Sequence, residues 1–194
     1  ARLATLRAAG IEPVVVPSEV DEDAAVAAAG PLTPAETVLL LARAKAEAVR
    51  AEHLDGLILG GDSLFELDDV VYGKPHDPAV ALERWQGMRG RTGALHSGHW
   101  VIDHRDGRVG EARGGVATAR VTFADDITDE EIAAYVATGE PLKVAGAFTI
   151  DSLGSAFITG VEGDPHAVVG LSVSLTRSLV RELGTHWPDL WNRT

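Results

Sequence analysis

Three carboxylates and two lysines stand out in this chain as residues whose type and spacing could do chemistry. Asp62 follows Gly60-Gly61 at the end of the apolar run Leu57-Ile58-Leu59. An acid there, preceded by almost no side-chain bulk, sits where α/β folds gather ligand-binding groups. A turn aspartate accepting a nearby backbone N–H is the competing reading, and position alone does not separate the two. Asp21-Glu22 lies in an acidic segment, and paired loop carboxylates can give a magnesium ion oxygen ligands while waters and phosphates complete its octahedron. Acidic loops are also commonly just solvated. Gly73-Lys74-Pro75 is not a P-loop, because that motif follows its lysine with Ser or Thr at the start of a helix. Lys74 and Lys45 can still meet a phosphate as point charges, although most lysines decorate exposed faces.

Other chemistries find less support. With no cysteine in the chain, disulfides, zinc–thiolate sites and a thiol nucleophile are excluded. His96 and His99 are three apart, a spacing that sends strand side chains to opposite faces and argues against a metal pair. Ser63 and Ser152 lack the strand–turn–helix elbow of a serine hydrolase. No Asp-x-Asp nucleophile motif follows an apolar strand, which weakens a phosphomonoesterase reading.

The elements that must position these groups are legible from pattern. Leu3 to Ala9 reads as a short helix closed by Gly10, and Glu12 to Val16 as a strand. Thr33-Pro34-Ala35-Glu36 is a capping-box helix start, predicting a helix to about His53 with Lys45 on it. Leu57-Ile58-Leu59 suits a short buried strand, and Leu64–Leu67 with Val70–Tyr72 a hairpin around Asp68-Asp69. Asp77-Pro78 opens a helix with Leu82, Trp85 and Met88 on its apolar side. His99–Asp103 and Gly115–Phe123 read as long paired strands about the turn Asp106-Gly107. Thr128-Asp129-Glu130-Glu131 is a second capping box before Ile132, Tyr135 and Val136, and Gly139-Glu140-Pro141 stops that helix. The glycine-punctuated stretch Gly146–Gly163 reads as strands and tight turns. A last helix covers Val173–Leu183, and Trp187 and Trp191 pack the tail. Interspersed strands and helices give an α/β class with a mixed central sheet and flanking helices.

The bulk numbers agree with one domain over residues 1–194: apolar residues make up 45% and charged residues 24%. No run approaches a transmembrane span, and no signal peptide is visible, so a cytoplasmic protein without a membrane partner is expected. A formal net charge of −12 argues against a nucleic-acid polymer as partner. It leaves room for a small phosphorylated substrate, because a cation held by carboxylates can work with a few basic residues on the phosphates.

Taken in order, Val20-Asp21-Glu22, Ala44-Lys45-Ala46, Gly61-Asp62-Ser63, Gly73-Lys74-Pro75, Thr138-Gly139-Glu140-Pro141, Ala145-Gly146-Ala147-Phe148 and Val168-Val169-Gly170-Leu171 resemble the Maf family of nucleoside triphosphate pyrophosphatases. The segments Gly87–Arg91 and Thr92–His99 further resemble actinobacterial members. The resemblance implies a two-lobed, elongated fold related to inosine triphosphate pyrophosphatases, with a central cleft and usually dimeric. It implies hydrolysis of canonical or modified nucleoside triphosphates to monophosphate and pyrophosphate. It also implies a divalent cation, Mg2+ first and Mn2+ or Co2+ as alternatives, held by Glu22 and Asp62. In that scheme Asp62 is the catalytic acid, and Arg2, Lys45 and Lys74 face the phosphates. Asp151 stands near the nucleobase, where many members carry Gln or Glu. Arg2 matches the arginine that closes the family's Ser-x-x-Arg segment, so the chain is expected to begin inside that motif, lacking the first strand and Ser-rich loop. Two more departures are Ser172, where Pro is usual, and Lys143-Val144 in place of Asp-Lys. The rival expectation is a non-catalytic nucleotide-binding regulator of cell division or septum formation.

Overall fold

A computed structural model describes residues 1–51, 55–108 and 110–193. Among them the elements run α1 (Arg2–Ala8), α2 (Glu22–Ala29), α3 (Pro34–Ala48), β1 (Gly56–Leu67), β2 (Val70–Tyr72), α4 (Pro78–Met88), β3 (Thr92–His104), β4 (Ala112–Phe123), α5 (Asp129–Ala137), β5 (Ile158–Gly163), α6 (Pro165–Val168) and α7 (Val173–Glu182). The strands form a five-stranded sheet of order β2-β1-β3-β4-β5. The α/β class holds, and the sheet is antiparallel rather than mixed in strand direction. Hairpin connections account for this: β1 turns into β2 through Asp68-Asp69, both at positive φ, with Leu67 opposite Val70. No described helix is long and apolar enough to cross a membrane.

Contacts gather the chain into two compact units, Ala1–Asp62 with Ser97–Ala117 and Gly170–Thr194, and Ser63–His96 with Thr118–Val169. In the second unit the core is aromatic. Trp85 of α4 meets Tyr135 of α5 edge-on at 5.2 Å, Phe65 meets Phe148 at 5.1 Å, and the Trp85 indole N–H donates to the Ala147 carbonyl at 2.8 Å. The expected capping box of α5 forms, with Thr128 and Glu131 each satisfying the other's backbone N–H.

In the first unit Val101 of β3 packs with Leu179, Val180 and Leu183, the apolar face of α7 and the residue that caps it. Helix α3 begins at the predicted capping box, Thr33 with Glu36, and ends at Ala48; the expected end near His53 lies outside the described residues. Its buried side chains include Ala42 and Ala46, so little separates its backbone from the sheet. A Cβ on Gly60 of β1 would lie 2.1 Å from the Ala42 carbonyl oxygen, and one on Gly98 of β3 2.3 Å from that of Val38.

Two strand expectations change. Leu57–Leu59 and Leu64–Leu67 are one strand, β1, which runs unbroken through Gly60-Gly61-Asp62-Ser63. The glycines mark where a helix lies on the strand, not where the strand ends. Among the described residues Glu12–Val16 pairs with no strand, and Val14 and Val15 are 86% and 63% exposed. Its β-branched residues favour extended backbone, but the Glu12 N–H donates to the Asn192 side-chain oxygen at 2.6 Å, and Asn192 donates to the Glu12 carbonyl at 3.1 Å. The tail therefore takes the place of a sheet partner. Trp191 lies against Gly10, as a tail-packing tryptophan should, yet stays 59% exposed.

The α3–β1 approach makes Gly60 intolerant of any side chain. Gly60→Ala is expected to destabilise the protein by about 3 kcal/mol, the upper range for overpacking, because the obstacle is helix backbone. Urea unfolding measures this; a loss under about 0.5 kcal/mol would disprove the contact.

Candidate active site

The same approach of α3 assembles the charged cluster. Side chains alternate along a strand, so Asp62 shares the face of Gly60 and points to the helix that crosses there. Lys45 meets it, its Nζ donating to Asp62 Oδ1 at 2.6 Å. The same ammonium lies 2.8 Å from Glu22 Oε1. Glu22 is the first residue of α2, whose N-cap is Asp21, with its carboxylate accepting the Ala24 N–H at 2.9 Å. The acidic pair thus divides its work: Asp21 fixes the helix start, and Glu22 reaches the lysine. Lys45 and Asp62 are well covered, with side chains 18% and 12% exposed, whereas Glu22 is 49% exposed and forms the open side of the cluster.

Arg2 completes it. Its Nε donates to the Gly170 carbonyl at 2.8 Å, and a Cβ on Gly61 would stand 3.3 Å from that Nε, so the second glycine leaves space for the guanidinium. Burial lowers the Arg2 pKa, and the charges of Asp62 and Glu22 work against that. Burial likewise raises the Asp62 pKa, outweighing the hydrogen bond and charge of Lys45 and the charge of Arg2. Two cations face two carboxylates, and the cluster is close to neutral.

Arg2, Glu22, Lys45 and Asp62 are therefore brought together in the first unit. Lys74 and Asp151, the other two expected site residues, belong to the second unit and are exposed there. Lys74 sits between β2 and α4, where Arg84 donates to the Gly73 carbonyl at 2.5 Å and lies over the Tyr72 ring at 5.3 Å. Asp151 lies on a segment fastened by Glu140. That carboxylate accepts from Tyr135 Oη (2.9 Å), Thr149 Oγ1 (2.6 Å), Ser152 Oγ (2.7 Å) and the N–H groups of Leu153 (3.3 Å) and Gly154 (3.1 Å). Glu140 and Arg84 have no assigned role in the sequence reading. Gly139-Glu140-Pro141 reads as a helix stop and a family anchor without a role for the carboxylate, because the donors that define Glu140 lie 5 to 14 residues away.

The histidines separate as strand alternation requires. His96 bonds to Glu66 at 3.1 Å and Thr118 at 3.0 Å. His99 is fully buried; its Nδ1 is 3.1 Å from the Ser97 carbonyl, and its Nε2 accepts the Ser172 N–H at 2.9 Å. Among the described residues no group of three or more His, Asp or Glu side chains gathers to hold a metal. The two carboxylates on Lys45 nonetheless fit a hard divalent cation: Mg2+ commonly takes one or two protein carboxylates and completes its shell with substrate phosphates and water.

The family model described as Maf-like protein matches residues 1–183, and the chain belongs to that family. Among its relatives, a nucleoside triphosphate pyrophosphatase of Leifsonia xyli subsp. xyli is 64% identical over 201 residues, covering 100% of this chain and 93% of the relative. Proteins of the same name from Salinispora tropica and Streptomyces coelicolor are 50% and 49% identical, over 100% and 98% of this chain and 84% and 90% of theirs.

Glu140 yields a prediction with a definite sign. Burial alone would raise its pKa, but the hydrogen bonds of Thr149, Ser152, Gly154 and Tyr135 prevail and hold it at about 2, against an ordinary 4.5. A depressed carboxylate contributes stability that is fully present above the unfolded value and lost as the pH falls through 4.5 towards 2. Glu140→Gln should therefore cost roughly 2 kcal/mol at neutral pH, a partial share of that shift given its partial exposure. The gap to wild type should begin to close near pH 5 and go on closing to about pH 2 in urea titrations. Equal stability at neutral pH would refute the role given to the carboxylate.

Proposed function

We propose that this chain hydrolyses nucleoside triphosphates to the monophosphate and pyrophosphate. The observation that carries the proposal is the pair of carboxylates, Asp62 and Glu22, on the Lys45 ammonium, with Arg2 close enough to feel both acids. Membership in the Maf-like family and the pyrophosphatase names of relatives up to 64% identical support it.

Attack of water on the α-phosphorus requires a base in place, neutralisation of the triphosphate charge and a tolerable pyrophosphate leaving group. Asp62 is suited to orient the water and take its proton. Burial raises its proton affinity, and a base works best when its pKa is moved towards the working pH. Lys45 and Arg2 carry fixed positive charge beside it, and covered cations act on phosphate oxygens with less screening than surface ones. Lys74 is assigned to the phosphates as well, and Asp151 to the nucleobase side; family resemblance supports these two roles. Glu22 and Asp62 would hold the Mg2+, or Mn2+ or Co2+ in its stead. When bound, that ion supplies charge neutralisation on the phosphate oxygens. The reading includes a cytoplasmic homodimer, which the resemblance supports.

Incubating the protein with a panel of purine, pyrimidine and modified nucleoside triphosphates and Mg2+ tests this by phosphorus NMR of the products. Monophosphate and pyrophosphate are expected; stepwise release of single phosphates, or no turnover of any nucleotide, would overturn it. Asp62→Asn should reduce kcat by roughly 100-fold or more, the scale of a lost general base, with a melting temperature within about 5 °C of wild type. Full activity in that variant would remove Asp62 from the mechanism.

A further inference from the structure

Lys45 holds both of the carboxylates that the proposed function assigns to a divalent cation. Its Nζ lies 2.6 Å from Asp62 and 2.8 Å from Glu22, distances at which an ammonium donates to each oxygen directly. With Arg2 beside them, two positive charges already balance two negative ones, so the pair presents little net attraction to a metal ion arriving alone. From this arrangement, and resting on the reading of Glu22 and Asp62 as metal ligands, we propose that Lys45 is the resident counter-ion of the site: it competes with the divalent cation for the same two carboxylates and yields them when a triphosphate draws the ammonium away.

The physical consequence is a coupling between nucleotide and metal. A triphosphate brings negative charge that Lys45 and Arg2 can satisfy, and each cation shifted to it leaves carboxylate charge uncompensated. Binding of one ligand therefore favours the other, and by linkage the effect is reciprocal. The placement of Lys45 suits the exchange. It rises from a helix whose backbone is pressed onto β1 at Gly60, so its stem is anchored, while its four-carbon chain leaves the ammonium free to swing between partners. Glu22, the most exposed of the three, is the partner that water reaches first. Breaking the pair with nothing in exchange would leave covered charges uncompensated, and phosphate oxygens offer the lysine a replacement partner.

The test is Mn2+ binding to the nucleotide-free protein, followed by the loss of the free-ion EPR signal, and it needs no turnover. Lys45→Met should bind Mn2+ about tenfold tighter than wild type, the middle of the range for coupled sites. Lys45→Gln repeats the measurement if the methionine variant does not fold. Arg43→Met removes the same charge from the same helix, at a side chain paired with Glu47 and 56% exposed; its effect should stay within about twofold, as for a screened surface charge. Adding Glu22→Gln to Lys45→Met should abolish the gain. The proposal is overturned if Mn2+ binds wild type as tightly as the Lys45 variants, if Arg43→Met tightens binding equally, if the gain survives loss of Glu22, or if none of these proteins binds Mn2+. Failure of the pyrophosphatase reading would appear separately, in the phosphorus products of the wild-type protein.

Discussion

The close approach of α3 to the sheet is the constraint on which the first unit depends. Helix backbone rests on strand backbone at Gly60 and Gly98, with the space of one Cβ at each point already occupied by a helix carbonyl. Such proximity is open only to a helix with small side chains on its inner face, and α3 buries Ala42 and Ala46 there. The return is precision. Lys45 leaves the helix between these two alanines in sequence and one turn below Leu41, and its ammonium meets Asp62 two residues beyond the glycine. A bulkier contact would lift α3 by an ångström or more, and the lysine would no longer reach two carboxylates at once.

Electrostatics then follow from geometry. Asp62 is buried enough that desolvation raises its proton affinity in spite of a lysine in direct contact. Arg2 feels the same balance: burial works against its charge and prevails, although the two acids work for it. Lys45 and Arg2 favour the ionised form of Asp62 while Glu22 works against it, and Asp62 and Glu22 favour the charge on Arg2.

Much of this was legible in the sequence, for identifiable reasons. Capping boxes at Thr33 and Thr128 and the Asp68-Asp69 hairpin were readable because their partners lie within a few residues. The acid at position 62, the lysine at 45 and the glutamate at 22 were readable as candidates from type and family order, and the structure brings these three together with Arg2. What local pattern misread is equally instructive. Gly60-Gly61 carries the signal of a strand end, yet the cause is a long-range one, a helix and an arginine side chain that arrive from elsewhere in the chain. Val14-Val15-Val16 has the composition of a strand, but a strand needs a neighbour, and the tail at Asn192 satisfies Glu12 instead. Glu140 was invisible as a hub because one carboxylate shows nothing in sequence of the five donors that will surround it.

The overall charge of −12 and the proposed anionic substrate are reconciled by the same cluster. At physiological salt, charges further away than about 8 Å are screened, so the field at a phosphate is set by its immediate neighbours. Within the first unit those neighbours are balanced rather than cationic. A site that carried Lys45 and Arg2 without opposing acids would attract any phosphate, including free pyrophosphate, and would have no place for a metal. One that carried Glu22 and Asp62 without the cations would hold metal and repel nucleotide. On the proposed reading, holding both acids on one ammonium beside Arg2 makes each ligand's binding conditional on the other, which would separate such a site from a general anion trap.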